Sequence, residues 1–169
     1  MKPTLLIACL FISCLVTAQK ESSPIAPGQM SIYAELGGSG ILFSINFDSR
    51  FTKSPLGFGG RVGVGFVGDD NYDYTNQSVL TFPIQVNYIF GKPHSVHSFE
   101  VGAGLTFSAK KIDLFGYQEG TYSSVYGTAC FMYRRLPKDG GFFWRAGFTP
   151  ILGSGYVFAS AGVSIGYIF

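Results

Sequence analysis

The chain has 169 residues, enough for one domain, and its formal net charge of +2 is too small for a nucleic-acid-binding surface. Charged residues make up 13% of the chain, against roughly 25% in soluble domains. Aromatic residues reach 17%, and there are 23 Gly. The hydrophobic content excludes disorder. Beyond residue 20, no apolar run approaches the roughly 20 residues of a membrane helix. What is left is a β-protein whose outer face meets lipid.

Residues 1–18 have the pattern of a secretory signal peptide. Lys2 supplies the positive charge, residues 5–16 form the apolar core, and small residues ending at Ala18 form a cleavage site. We therefore predict three regions: a signal peptide over 1–18, a short periplasmic lead-in over 19–29, and a barrel over 30–169.

The cysteines bear on the same prediction. The sequence Leu6-Ile7-Ala8-Cys9 has the form of a lipobox, which makes lipoprotein processing an alternative, but the apolar stretch before Cys9 is short for export. Cleavage after residue 18 removes Cys9 and Cys14 and leaves Cys130 as the single cysteine of the mature chain. No intrachain disulfide is then possible.

From residue 30 onward, apolar and polar residues alternate with a period of two, which predicts strands. In residues 80–90, 97–108 and 157–169 one face is large and apolar, and the other is mostly Gly, Ser, Thr and Asn. Small polar residues suit a narrow interior, whereas large apolar residues facing outward suit lipid. Because only helices and closed barrels satisfy every backbone group in lipid, the pattern predicts an all-β, antiparallel, up-and-down transmembrane barrel.

Eight strand segments are predicted. Their spacing implies short connections over 52–56, 91–96 and 136–141, longer loops over 68–78 and 110–120, a two-residue hairpin at Gly38-Ser39 and a short loop over 151–155. The segments are 30–37, 40–51, 57–67, 79–90, 97–109, 121–134, 142–150 and 156–169.

Aromatic residues concentrate at the strand ends that adjoin the short connections, where an interfacial girdle would lie. We predict that the following side chains face outward there: Phe47, Phe51, Phe58, Tyr88, Phe90, Phe99, Tyr133, Phe142, Trp144, Tyr167 and Phe169.

Four stretches of the chain resemble the small outer-membrane β-barrels of Gram-negative bacteria. These are the Ala18-Gln19 junction, Tyr33–Gly38, Phe99–Gly104 and the closing Gly166-Tyr167-Ile168-Phe169. The pattern is similar to OmpA/OmpX-type eight-stranded barrels and to uncharacterised barrels of Bacteroidota. The resemblance implies an integral outer-membrane protein. Short turns of such barrels lie in the periplasm, and the even number of strands then places both mature termini there. The resemblance also implies that Tyr167 and Phe169 form a signal read by the barrel assembly machinery.

Two motifs suggest ligands but lack the context that those ligands need. Gly63-Val64-Gly65-Phe66-Val67-Gly68 matches a dinucleotide fingerprint, yet no helical pattern follows it, so glycines facing a tight lumen explain it better. Asp69, Asn71 and Asp73 have the spacing of a calcium loop, but Tyr74 and Leu80 replace its required Gly and Glu. No cofactor is predicted.

The histidines do not support an enzyme. His94 and His97 lie at the predicted periplasmic end, whereas a hydrolase acting on surface lipid needs its histidine near the outer rim. Zinc would need more ligands than these two and Cys130.

Lys110 and Lys111 lie where the fifth strand enters its outer loop. Two interpretations remain open at this point: contact with lipopolysaccharide phosphates, or pairing with the acidic loop around Asp69–Asp73.

Five charged residues point into the lumen by alternation: Asp48, Arg50, Arg61, Glu100 and Arg145. Counting from the short turns places Phe51 at Phe58, Asp48 opposite Arg61, Asn87 opposite Glu100, and Cys130 opposite Arg145. Unpaired charges in so narrow a space are costly, which favours a hydrogen-bonded plug. The competing interpretation is a water-filled vestibule.

These patterns predict a non-enzymatic barrel with a structural or surface-interaction role and a lumen filled by side chains. A narrow conduit or binding barrel for a small apolar ligand is the alternative, supported by apolar residues expected near the outer end of the lumen: Leu42, Val67 and Tyr126. A lipid-modifying enzyme is the third class.

Overall fold

The computed structural model describes residues 30–69, 77–92, 95–112, 123–137, 140–153 and 155–169. The predicted signal peptide and lead-in, and most of the two long loops, lie outside these ranges. The helical structure in them is one turn of 3₁₀ helix, Gly38–Gly40. None of it is long and apolar enough to span a membrane.

Ten strand segments follow one another along the chain. They are β1 (Met30–Gly37), β2 (Phe43–Arg50), β3 (Gly57–Asp69), β4 (Gln77–Gly91), β5 (His97–Ile112), β6 (Ser123–Arg135), β7 (Gly141–Phe148), β8 (Ile151–Gly153), β9 (Tyr156–Phe158) and β10 (Ala161–Ile168).

These ten segments make eight barrel strands. β6 pairs with β7 and with β8 in one continuous register, so β7 and β8 are parts of one strand, as are β9 and β10 on its other side. The break lies at Pro150, which has no N–H to donate to the ladder. Its carbonyl still accepts from the Ala129 N–H at 3.1 Å. The predicted loop over 151–155 is therefore shorter than expected, because Ile151–Gly153 is still strand.

The sheet closes on itself. Each strand pairs antiparallel with its neighbour in sequence, and β10 pairs with β1. Met30 and Phe169 complete this seam with two backbone hydrogen bonds of 3.2 and 2.9 Å. The predicted eight-stranded antiparallel barrel is confirmed.

Large apolar side chains cover the outside of the barrel. Residues at alternate positions are about half exposed, including Val64 (53%), Val86 (53%) and Ile165 (54%). An uncovered apolar surface on this scale is typical of a face that meets lipid.

The barrel has two distinct ends. We call the end with the connections 51–56, 92–96 and 136–140 the short-turn end, and the opposite one the long-loop end. The predicted girdle aromatics face outward at the short-turn end, and several contact each other across strands. Ring-centroid distances are 4.8 Å for Phe58–Tyr88, 5.8 Å for Phe90–Phe99, 5.8 Å for Phe99–Tyr133 and 5.3 Å for Tyr133–Trp144.

The first hairpin differs from the prediction. In place of a two-residue turn at Gly38-Ser39, a longer loop folds into the lumen and buries Gly38, Ser39 and Gly40. The Gly37 N–H donates to the Leu42 carbonyl at 2.7 Å, and Gly37 and Gly38 have φ of +68° and +71°, which glycine adopts readily. The loop turns inward because its polar groups find partners there.

The register of the second and third strands follows the count made from the sequence. Asp48 lies opposite Arg61, and the Phe51 N–H donates to the Phe58 carbonyl at 2.9 Å.

The predicted pairing of β4 with β5 was wrong by two residues. Glu100 lies opposite Ile89, not Asn87, because the β4–β5 ladder continues to a pair between Gly91 and Ser98. The turn is thus centred one residue later than the sequence suggested, and Asn87 reaches Glu100 diagonally.

Strand glycines give the first testable prediction, since a side chain at Gly166 has no room. A Cβ there would lie 2.2 Å from the Ile32 carbonyl oxygen and 2.3 Å from the Tyr33 Cβ. We expect Gly166→Ala to lower the free energy of unfolding by about 1–3 kcal/mol through overpacking. Urea unfolding in detergent micelles, followed by Trp144 emission, measures this. Gly68→Ala is the control, because nothing lies within 4 Å of that position; equal losses in both variants would contradict the argument.

Candidate functional site

The lumen is filled in three layers. An apolar cluster lies near the long-loop end and a second near the short-turn end, with polar side chains between them. The first, the long-loop cluster, is Val67, Val79, Ile112, Tyr126 and Ile151. The second, the short-turn cluster, is Tyr33, Ile89, Leu136, Phe143 and Ile168.

Seven charged side chains fill the middle layer. All five residues singled out from the sequence are buried there, and Glu35 and Arg134 join them. We call these seven the luminal network: Glu35, Asp48, Arg50, Arg61, Glu100, Arg134 and Arg145.

Arg145 is the centre of the network. Its guanidinium donates to Glu100 Oε1 at 2.6 Å and to Glu35 Oε1 at 2.8 Å, which joins the carboxylates of two strands. It also donates to the Tyr33 hydroxyl at 2.7 Å and, through Nε, to the Ser164 hydroxyl at 3.1 Å. The guanidinium carbon lies 4.3 Å from the centre of the Tyr33 ring. Every nitrogen of this buried cation therefore has a partner, which offsets its desolvation.

Arg61 connects the network to the inward loop. It donates to the Tyr33 hydroxyl at 3.0 Å, to Glu35 at 3.4 Å and to the Ser39 hydroxyl at 2.8 Å. It also donates to Gln85 Oε1. One guanidinium on β3 thus binds a residue of the inward loop and residues of two other strands, β1 and β4.

A second branch runs toward the short-turn end. Arg50 pairs with Asp48 and donates to the Asn87 amide oxygen at 2.5 Å. Asn87 donates to Asp48 at 2.7 Å and to Glu100 at 3.1 Å. Arg134 completes the branch with N···O distances of 3.1 Å to Glu100 and 3.6 Å to Asp48.

The inward loop is fixed by strands on the far side of the barrel. The Thr106 hydroxyl on β5 donates to the Ser39 carbonyl at 2.6 Å, and the Thr81 hydroxyl on β4 donates to the Gly40 carbonyl at 3.0 Å. Ile41 has φ of +79°, a strained conformation for a β-branched residue. Its side chain packs on the long-loop cluster, so burial and these hydrogen bonds offset the strain.

Glu35 and Arg134 were missed at the sequence level, although alternation could have found Arg134. Tyr133 was assigned outward, and its neighbour must then point inward. The predicted β6–β7 register was also wrong: Arg145 lies opposite Arg134, not opposite Cys130. The β6–β7 ladder ends at the pair Arg135–Trp144, and Gly140 and Gly141 in the turn have positive φ, so the turn is centred later than counted.

The other residues singled out from the sequence occupy separate places. Lys110 and Lys111 are exposed on β5 at the long-loop end, while most of the acidic loop and His94 lie outside the described residues. His97 is exposed on the outer face, with its Nδ1 2.5 Å from the Tyr133 hydroxyl. Buried Cys130 lies 4.0 Å from Glu100. No cluster of three or more His, Cys, Asp or Glu in the described ranges could hold a metal.

The glycine-rich motif is explained by packing. A Cβ at Gly63 would lie 2.2 Å from the Asn46 amide oxygen, and one at Gly65 would lie 2.4 Å from the Phe43 carbonyl oxygen. These glycines leave room for neighbouring strands and side chains.

Of the three residues expected to be apolar and luminal, Val67 and Tyr126 belong to the long-loop cluster, whereas Leu42 is exposed (51%) and was assigned wrongly.

Comparison with known proteins agrees with this architecture. No model of a protein family and no curated protein sequence matches the chain. Among solved structures, it is similar to the N-terminal β-barrel domain of Pseudomonas aeruginosa OprF, with a TM-score of 0.59 and 15% identity, over 85% of this chain and 98% of that one. It is also similar to the Yersinia pestis outer membrane protein Ail in a phospholipid bilayer nanodisc, with a TM-score of 0.52 and 15% identity, over 84% and 99%. The chain therefore has the fold of a small, OmpA/OmpX-type outer-membrane β-barrel.

Proposed function

We propose that the protein is a non-enzymatic, integral barrel of the bacterial outer membrane with a closed lumen and a structural or surface-interaction role. Its short-turn end and both mature termini lie in the periplasm, and the long loops face outward. The exposed apolar belt and the similarity to outer-membrane barrels support the location. The luminal network supports the closed lumen.

The network favours a plug because its carboxylates and guanidiniums form ion pairs with one another. Each carboxylate of Glu35, Asp48 and Glu100 contacts at least two arginines. Apolar clusters cover this layer toward both ends. An ion crossing the lumen would have to break several buried charge-assisted bonds, each far more costly to lose in a low dielectric than in water.

Single-channel recording tests the closed lumen. The mature chain refolded into a planar bilayer is expected to give no stable ion-conducting steps, with insertion checked separately by heat-modifiable migration. Regular steps from correctly folded protein would overturn the plug and favour the charged vestibule.

A binding barrel for a small apolar ligand is the second candidate, and the long-loop cluster favours it. Val67, Val79 and Tyr126 form an apolar layer beneath the outer loops. Saturable binding of a fluorescent naphthylamine probe, abolished by Val79→Arg, would support this candidate. Equal probe fluorescence in both proteins would count against it.

Contact with lipopolysaccharide at Lys110 and Lys111 is part of the proposal. Both lysines are exposed at the long-loop end, level with the headgroups of the outer leaflet in the proposed orientation. The Lys110→Gln/Lys111→Gln double variant is expected to lose lipopolysaccharide retained through purification. Unchanged retention would favour pairing of these lysines with the acidic loop.

A further inference from the structure

Basic side chains collect on one outer face of the short-turn end. In the two connections and strand ends over 91–97 and 135–141, five ionisable residues are basic and one, Asp139, is acidic. Lys92, His97 and Arg135 of this set are exposed. Among the described residues, no carboxylate forms an ion pair with any of the three.

The ladders bring these three residues side by side. His97 on β5 lies directly opposite Arg135 on β6, which in turn lies opposite Trp144 on β7. On the other side, Gly91 pairs with Ser98, so Lys92 comes level with His97. Directly opposed residues have Cβ atoms about 4.5–5.5 Å apart, within reach of one small ligand.

Aromatic rings adjoin this basic row: Phe99 and Tyr133 lie two residues farther along their strands, and Trp144 lies in the row itself. Phe99, Tyr133 and Trp144 form a continuous outward surface, with ring-centroid distances of 5.8 Å for Phe99–Tyr133 and 5.3 Å for Tyr133–Trp144. The His97 Nδ1 lies 2.5 Å from the Tyr133 hydroxyl, which holds the imidazole against the rings. Aromatic residues in this position mark the level of the lipid headgroups.

We propose that Lys92, His97 and Arg135 form a binding site for the phosphate of an anionic glycerophospholipid, whose acyl chains lie over Phe99, Tyr133 and Trp144. Like charges placed side by side are unfavourable, and an anion between Lys92 and Arg135 relieves that repulsion. The site lies at the rim of the lipid-facing belt, so the phosphates of membrane lipids lie at the same level. In the proposed orientation this lipid belongs to the inner leaflet of the outer membrane.

Trp144 is the single tryptophan of the chain and lies within the site, so it reports on the lipid directly. The mature protein is refolded into vesicles of phosphatidylcholine and phosphatidylglycerol, with one or the other lipid brominated on its acyl chains. The ratio of Trp144 quenching by the two brominated lipids gives their relative affinity for the site. We expect phosphatidylglycerol to be preferred by about fivefold, a preference that 0.5 M NaCl reduces.

Two variants test which residues give the preference for phosphatidylglycerol. Lys92→Gln/Arg135→Gln is expected to bring the quenching ratio to about 1, whereas Lys53→Gln, which removes an exposed lysine at the same end but in the β2–β3 connection, keeps the wild-type ratio. A wild-type ratio of 1, or a preference that survives in the double variant, would overturn the site.

The inference rests on the proposed membrane location, and the quenching experiment distinguishes failure of the location from failure of the lipid site. Absence of quenching by both lipids would contradict membrane insertion itself, while equal quenching by both contradicts only the headgroup site. Inorganic phosphate added to the vesicles is expected to leave the ratio unchanged, because the acyl contacts are missing; displacement of the lipid by free phosphate would contradict a lipid as the ligand.

Discussion

Replacing Arg145 by Met is expected to lower the free energy of unfolding by about 3–5 kcal/mol, the cost of removing one partner from a buried ion network. The change leaves Glu35 with one arginine contact, Arg61 at 3.4 Å, and leaves Glu100 dependent on Arg134 at 3.1 Å. Both carboxylates stay buried with less compensation. Urea unfolding in detergent, followed by Trp144 emission and by heat-modifiable migration, measures the loss.

Arg135→Met is the matched control, because Arg135 lies on the adjacent strand but faces outward. Its replacement is expected to change the free energy of unfolding by less than about 0.5 kcal/mol. If Arg145→Met unfolds at the wild-type urea concentration while its conductance rises, the plug is wrong and a hydrated vestibule replaces it.

Deleting Phe169 is expected to reduce the folded, membrane-inserted fraction severalfold in cells. The deletion removes the two backbone hydrogen bonds with Met30 at the seam, together with an outward aromatic ring that is 46% exposed. The predicted recognition of Tyr167 and Phe169 by the assembly machinery would be lost as well. Heat-modifiable migration of outer-membrane fractions measures the inserted population.

Phe169→Ala separates the two effects, since it removes the ring and keeps the backbone bonds. We expect this variant to refold into pure lipid vesicles almost as well as the wild type, yet to insert poorly in cells. Normal insertion in cells would argue against an assembly signal at this residue, and poor refolding in vesicles would show that the ring acts through stability.

Much of the architecture was accessible from alternation alone, because a barrel in lipid reverses the usual distribution of apolar residues. Parity decides the face of every residue in a strand, so Asp48 and Arg61 could be assigned inward without a structure. Their pairing followed as well, because the connection between β2 and β3 is bounded by the aromatic residues Phe51 and Phe58.

Register was harder to obtain, because a turn has no periodicity. Moving the centre of a hairpin by one residue changes every cross-strand pair by two positions without altering which face a residue occupies. This is why Glu100 and Arg145 were placed on the correct face but given the wrong partners. The inward loop was inaccessible for another reason: the contacts of Ser39 with Arg61 and Thr106 join residues far apart in sequence.

The luminal network is not electrically neutral. Four arginines face three carboxylates, which leaves one formal positive charge in the middle of the barrel. A variant that opens the lumen without changing these seven residues will therefore select anions over cations, because the excess positive charge attracts anions and repels cations. Neutralising Glu100 would strengthen this selectivity, and neutralising Arg50 would abolish it. The ion selectivity of an opened lumen is thus set by the same residues that we propose to close it.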